Sequence, residues 1–319
     1  MVGGGYWYPT DPEWFRFLRV RGPLGEVNFW RPHARVFRAL PAGAGAPFLF
    51  KLRKLDAVGG FGYFHRYVEL SILEAWDAFE SLNGARGLEE FARLIAANRG
   101  LRPEQLPWGA RIGCIMLSAP VFFEDAEFVR RAADWKVQGA QVGSTFDLTR
   151  GEGARVWEAC RLRAAAYEQA RHEPAESVAE RERLAGTLYE RESRPGQRIF
   201  RATLLAAYGG ACAVTSEHST PVLEASHIRP YAEEGPDGVS NGLLLRTDLH
   251  KLFDAGLVTV TPDHEFRVSR LLEERWRNGR TYYELQSRLH GKTIRLPKHV
   301  ADYPDPDALA WHARERFIA

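Results

Sequence analysis

Residues 223–260 read LEASHIRPYAEEGPDGVSNGLLLRTDLHKLFDAGLVTV. Two histidines, an asparagine and a scatter of carboxylates sit between short apolar segments. The segment PVLEASHI reads as a strand, and PYAEEGPDGVSNG, rich in Gly, Pro, Asp and Asn, reads as a loop. In LLLRTDLHKLFDAG the apolar spacing turns helical, with a helix start at Thr247. The order strand, loop, strand, helix makes a small ββα unit.

Those residue types in that order suit metal-dependent phosphodiester chemistry. Such a reaction needs a base to activate water, a divalent cation near the phosphate, and something to hold the geometry. His227 ends the first strand, and neutral imidazole accepts a proton near neutral pH. His250 and Asp254 stand four residues apart on the helix and share a face, a spacing that suits two ligands of one metal ion. Asn241 lies in the loop between, where its amide can tie the backbone in place. A lone histidine in a strand is more often structural than catalytic. Four such residues at ordered positions are harder to account for as a satisfied core.

Working outward, LVTVTPDHEFRVS reads as a hairpin turning near Pro262 and Asp263, and IFRATLLAAYGG as a helix closed by Gly209 and Gly210. Residues 199–319 thus form one domain. Residues 161–198 lie in an Ala-, Glu- and Arg-rich tract, helical, broken at Pro174 and ended near Pro195. With nine basic and nine acidic residues between positions 151 and 199, it reads as a solvated connector. Residues 1–160 mix strands and helices without a βαβ rhythm, so the class is α+β. Here DPEWFRFLRV is a helix capped by Asp11, and PFLFKLR and AVGGFGYFHRYVEL are strands. SILEAWDAFESLNG and LEEFARLIAANRG are helices stopped by Gly84 and Gly100, and RIGCIMLSAPVFF is a buried strand.

The 319 residues suit two domains, and 45% hydrophobic with 26% charged residues is an ordinary globular composition. No apolar run approaches the roughly 20 residues of a membrane span, and the N-terminus lacks the basic-then-apolar pattern of a signal peptide. Cys114, Cys160 and Cys212 form no CxxC pair, which fits a reducing cytoplasm. The net charge of +2 does not argue for a nucleic-acid partner, and its distribution says more. From Arg16 to Lys54 there are nine Lys/Arg and one acid, Glu26, which reads as a solvated face or a phosphate-contacting one.

His227, Asn241 and His250, with the flanking HIRP, NGLLL and DLHKLFDAGLVTV, resemble the HNH (ββα-metal) nuclease motif. The resemblance covers residues 200–285 approximately. It implies a β-hairpin and helix around one divalent ion, with His227 as general base, Asn241 orienting it or pinning the loop, and His250 a metal ligand. Asp254 matches the place of a further ligand. Many members carry Asp or His just before the base, where this chain has Ser226; Glu224, two residues earlier on the same strand face, or water would then substitute. Magnesium or manganese is expected, with nickel or cobalt tolerated by a His ligand, and no structural zinc, because CAVTSEH keeps one cysteine.

More weakly, EVNFWRP, PFLFKLR, VGGFGYF and QVGSTFD resemble the PUA-like superfamily, whose EVE, YTH and SRA-type members hold an extruded modified base. The combination resembles modification-dependent restriction endonucleases. It implies an N-terminal PUA-like barrel or sheet domain that flips and reads 5-methyl- or 5-hydroxymethylcytosine in double-stranded DNA. The expected pocket is Trp30, Asn28, Tyr63, Phe61, Asp147 and Thr145; Gly59, Gly60 and Gly62 would admit nucleic-acid backbone; and Arg31, Arg35, Lys51, Arg53 and Arg229 would meet phosphates. One site per chain implies a homodimer, or two visits, for double-strand cleavage. The alternatives are a nuclease or nickase indifferent to cytosine modification, and a modified-nucleic-acid reader on an inert HNH scaffold.

Overall fold

Ala57–Ser71 is a long strand, and the first unit is built on it. In the computed structural model the described residues are 4–34, 43–52, 55–132, 144–172, 196–230, 238–275 and 280–319. Arg35 and Arg53 of the expected phosphate set, residues 141–143 of QVGSTFD, residues 173–195 of the expected connector and loop residues 231–237 lie outside them. The chain divides into two units, Met1–Arg198 and Ile199–Ala319.

In the first unit the strands are β1 (Gly4–Pro9), β2 (Glu26–Arg31), β3 (Pro47–Leu52), β4 (Ala57–Ser71), β5 (Arg111–Phe122), β6 (Val129–Arg130) and β7 (Ser144–Asp147). They form one mixed sheet in the order β2-β5-β4-β3-β1-β7, with β6 also on β4. Among the described residues only β1 and β3 pair in parallel. Among the described residues β2 and β7 do not pair, so the sheet is open and no barrel closes. The α+β class holds for both units.

Helix α1 (Pro12–Arg19) starts where Asp11 accepts from the amides of Glu13 and Trp14. It covers one sheet face, where Trp14 and Phe15 meet Phe29, Phe50 and Phe122 edge-on or tilted. Helix α2 (Ile72–Phe79) opens with a capping box between Ser71 and Glu74, and α3 (Leu88–Asn98) follows. Helix α4 (Gly151–His172) begins inside the expected first domain and runs on into the expected connector. Its Val156 and Cys160 are fully buried against Trp7, Leu49, Val58 and Phe61, and Ala164 and Tyr167 pack on the same cluster. The backbone amide of Glu124 donates to the Tyr167 hydroxyl, which itself donates to Glu127. Residues 161–167 therefore belong to the body of the first unit. Their stripe, spaced by four and three, is narrow and sits among Arg and Glu, which is why it reads as solvated.

The glycines of β4 make room for the protein itself. A Cβ on Gly59 would lie 2.7 Å from Leu52 Cδ1, and one on Gly60, at φ 157°, 2.1 Å from the Val121 carbonyl oxygen. Burial pushes the thiols of Cys114 and Cys160 up to about 12, so neither is a nucleophile at neutral pH.

The second unit opens with α5 (Gln197–Tyr208), then β8 (Leu223–His227) paired antiparallel with β9 (Gly242–Arg246), then α6 (Thr247–Asp254). A second hairpin joins β10 (Val258–Val260) to β11 (Phe266–Val268), turning as His264 N–H donates to the Thr261 carbonyl. Helices α7 (Leu271–Arg275), α8 (Arg280–Arg288) and α9 (Pro306–Glu315) complete it. Leu204, Leu205, Tyr208, Leu243, Leu244, Leu249 and Phe253 are buried in its core.

His312 of α9 lies flat on Phe253, with ring centroids 3.6 Å apart. The Phe253 carbonyl can only accept, so Nε2–H donates to it at 3.1 Å, and Nδ1 accepts from the Thr259 hydroxyl at 2.8 Å. Both bonds suit the neutral ring, and burial, with the nearby Arg316 charge, pushes its pKa down to about 4 from 6.5. The unfolded chain binds this proton first, so the contribution is fully present above pH 6.5 and is lost as pH falls toward 4. The gap corresponds to roughly 3 kcal/mol. Urea unfolding should show wild-type stability falling over that range. A His312→Gln protein should be less stable at pH 7 and converge on wild type near pH 4; a constant difference at all pH values would contradict the assignment.

Candidate active site

Strand alternation in β8 puts Glu224 and Ser226 on one face and Ala225 and His227 on the other. Helix α6 lies on the Glu224 side. His250 Nδ1 is 2.7 Å from Glu224 Oε2, and His250 Nε2 is 3.4 Å from Asp254 Oδ2. One imidazole thus stands between two carboxylates, both well exposed, while the His250 side chain is 22% exposed. Ser226, two residues along from Glu224, is wholly buried, and its hydroxyl oxygen has no hydrogen-bond partner among the described residues. Among the described residues, no group of three His, Cys, Asp or Glu side chains is placed to hold a metal ion as it stands.

Asn241, wholly buried, closes the loop between the strands. Its Nδ2 donates to the Arg229 carbonyl at 2.9 Å, and its Oδ1 accepts from the Arg229 amide at 2.9 Å. Its own carbonyl accepts from the Ile228 amide at 2.9 Å. One amide side chain thereby fixes the backbone two residues beyond His227. The His227 ring stacks on Phe200 of α5, centroids 4.0 Å apart and 11° from parallel. The Arg229 guanidinium lies over the Trp311 ring at 5.6 Å, and Arg316 over the same ring at 5.7 Å. Arg229 Nε is buried, with no hydrogen-bond partner among the described residues.

The residues of the expected base pocket lie on three strands, β2, β4 and β7. Trp30 and Asn28 lie on β2, at one edge of the sheet, and Thr145 and Asp147 on β7, at the other, five strand steps away. The Trp30 indole donates to the Asn83 carbonyl and meets Phe91 edge-on, and the wholly buried Asn28 donates to Asn83 Oδ1. Both serve the packing of α2 and α3. Phe61 is 2% exposed, and Trp157 of α4 stands against it, with Tyr63 half-buried beside the pair. Thr145 is exposed; Asp147 accepts from the Thr149 amide and hydroxyl, which hold its carboxyl below the usual range. Lys51 is inside as well, 6% exposed, with Nζ 4.1 Å above the Trp7 ring, so it does not present a charge to a phosphate. Arg31 is half-buried, 6.0 Å from the Tyr8 ring centre.

Residues 212–261 match the family model described as HNH endonuclease. The second unit carries an HNH endonuclease domain. Among solved structures, a modification dependent TagI restriction endonuclease is similar at 14% identity and a TM-score of 0.26 over 80% of this chain, which spans 53% of that protein. The ZmASCH mutant protein from Zymomonas mobilis is similar at 16% identity and a TM-score of 0.29, over 49% of this chain and 96% of that one. No curated protein matches.

The HNH match includes β8, the loop, β9 and α6, the elements that carry His227, Asn241 and His250. Phe200 and Trp311 lie outside it and were not read from the sequence. Each is a lone aromatic in a helix, a pattern that signals core rather than site. Cys212 is buried, with Sγ 3.5 Å from the Thr215 amide, and His218 is exposed. Among the described residues, no helix is long and apolar enough to cross a membrane.

The Asn241 clamp has a measurable consequence. Asn241→Ala leaves the Arg229 amide and carbonyl without their partner and should cost about 2–3 kcal/mol in urea unfolding. Asn241→Asp keeps the acceptor but sets an anionic oxygen against the Arg229 carbonyl, so it should not restore stability. Unfolding curves for both variants that overlay wild type would show that the loop is held elsewhere.

Proposed function

We propose that the chain is a DNA endonuclease whose HNH domain hydrolyses phosphodiester bonds and whose first unit selects modified DNA. The observation that carries the nuclease reading is the joint placement of His227, the Asn241-clamped loop and the carboxylate-flanked His250 on one hairpin and helix. His227 is the general base that takes a proton from the attacking water. Asn241 is the residue that keeps the following backbone in register with it. Arg229, mounted on that clamped backbone, meets a phosphate of the bound strand.

The donor set suits a hard divalent cation. His250 offers a ring nitrogen, and Glu224 or Asp254 a carboxylate oxygen, with the orphaned Ser226 hydroxyl on the Glu224 strand face. Magnesium and manganese keep several water ligands, so one imidazole and one carboxylate suffice on the protein side. When bound, such an ion would neutralise charge on the scissile phosphate. Nickel and cobalt suit the same nitrogen.

Selection of 5-methyl- or 5-hydroxymethylcytosine by base flipping is the finer part of the proposal, together with a PUA-like origin for the first unit. Its support is the resemblance of that unit's segments and a partly buried aromatic group, Tyr63, Phe146 and Trp157, on the face of the sheet that α4 covers. Double-strand cleavage would come from two protomers. The burial of Trp30, Asn28 and Lys51 favours a second reading, a nuclease indifferent to cytosine modification.

One plasmid prepared unmodified, with 5-methylcytosine and with 5-hydroxymethylcytosine separates these. With magnesium or manganese, cutting is expected only of modified DNA, and His227→Ala should lower the rate at least about 100-fold. Equal cutting of all three forms would remove the modification reading and leave the nuclease. Undiminished cutting by His227→Ala would overturn the assignment of the base.

A further inference from the structure

We infer that Phe200 is a positioning residue for the His227 imidazole, an inference that rests on His227 being the base. Phe200, Leu204 and Tyr208 recur every four residues on α5 and form one stripe. That stripe docks on the residue opposite His227 in the hairpin, Gly242. A Cβ at 242 would lie 2.7 Å from Phe200 Cζ and 2.8 Å from a Leu204 methyl, so the missing side chain is what lets the helix come this close. The Tyr208 hydroxyl donates to the Gly242 carbonyl at 3.2 Å. Arg201 donates to the carbonyls of Leu223 and Thr220, anchoring the same helix at the start of β8.

This docking lays the Phe200 ring flat on the imidazole, 4.0 Å away and 11° from parallel. Face-to-face contact restricts rotation of the imidazole and covers one of its faces. The ring nitrogens lie in the edge, which this face-to-face contact does not cover. A π face also favours the cation that the imidazole becomes when it takes the proton. Phe200 is itself only half-buried, unlike Leu204, which is fully buried. A large ring left partly exposed against a histidine is better explained by holding that histidine than by filling a core.

The test compares Phe200→Leu, Phe200→Tyr and Gly242→Ala with wild type and His227→Ala on a plasmid that the wild-type protein cuts. Cleavage rate at saturating enzyme and DNA affinity are measured separately. Phe200→Leu keeps apolar volume but loses the flat face, and should cut roughly 10- to 100-fold more slowly with affinity unchanged. Gly242→Ala, which displaces the ring, should do the same. Phe200→Tyr keeps the flat face and should restore the rate. A wild-type rate for folded Phe200→Leu would overturn the inference. So would a loss that Phe200→Tyr fails to restore, or one shared equally by affinity, since both are marks of a purely structural role. If His227→Ala cuts at the wild-type rate, the base reading has failed and Phe200 falls with it. An inactive His227→Ala beside an undiminished Phe200→Leu overturns the Phe200 inference alone.

Discussion

The second unit depends on one buried amide. Asn241 donates to and accepts from the backbone of Arg229, so the segment after His227 is tied to the segment before β9. An unmade bond at either group would leave a buried polar atom stranded, at a cost larger than the bond itself is worth. The clamp therefore fixes more than a loop. It sets where β8 ends and the direction in which Arg229 leaves. Through the pairing of His227 with Gly242 it also sets which residue α5 packs against. The short strands have few ladder bonds of their own, so a side-chain tie at their open end decides the register.

From that tie the remaining geometry follows by alternation. His227 falls on one face of β8 and meets Phe200; Glu224 falls on the other and meets His250. The two histidines thus have different neighbours. One is backed by an apolar ring and the other is flanked by carboxylates. That division matches the requirements of a proton acceptor and of a cation ligand, and both histidines and both carboxylates come from 31 residues of chain, Glu224 to Asp254.

Legibility in the sequence divided along the same physical line. The ββα unit was readable because its signals are local: strand alternation, Gly-rich loop, four-residue helical spacing. Glu224 was reachable because strand-face parity alone puts it beside Ser226. The first unit was less readable. Whether Trp30 and Asp147 share a pocket depends on the order in which distant strands pair, and nothing in either segment states that β2 and β7 are opposite edges. Lys51 reads as a surface cation by composition, yet its strand runs through the interior and its charge is placed over Trp7. The β4 glycines read as openings for a ligand, whereas Val121, Leu52 and Phe15 occupy the room. Helix α4 reads as a connector because only a thin stripe of it is apolar.

If His250 is the protein's hold on a divalent cation, manganese binding depends on it. Titration of the metal-free protein with manganese, followed by electron paramagnetic resonance of the free ion, tests this without relying on cleavage. The account predicts one manganese ion bound per chain, with binding lost in His250→Ala and kept in His227→Ala. Undiminished binding in a folded His250→Ala protein, or no binding by wild type even with DNA present, would contradict it.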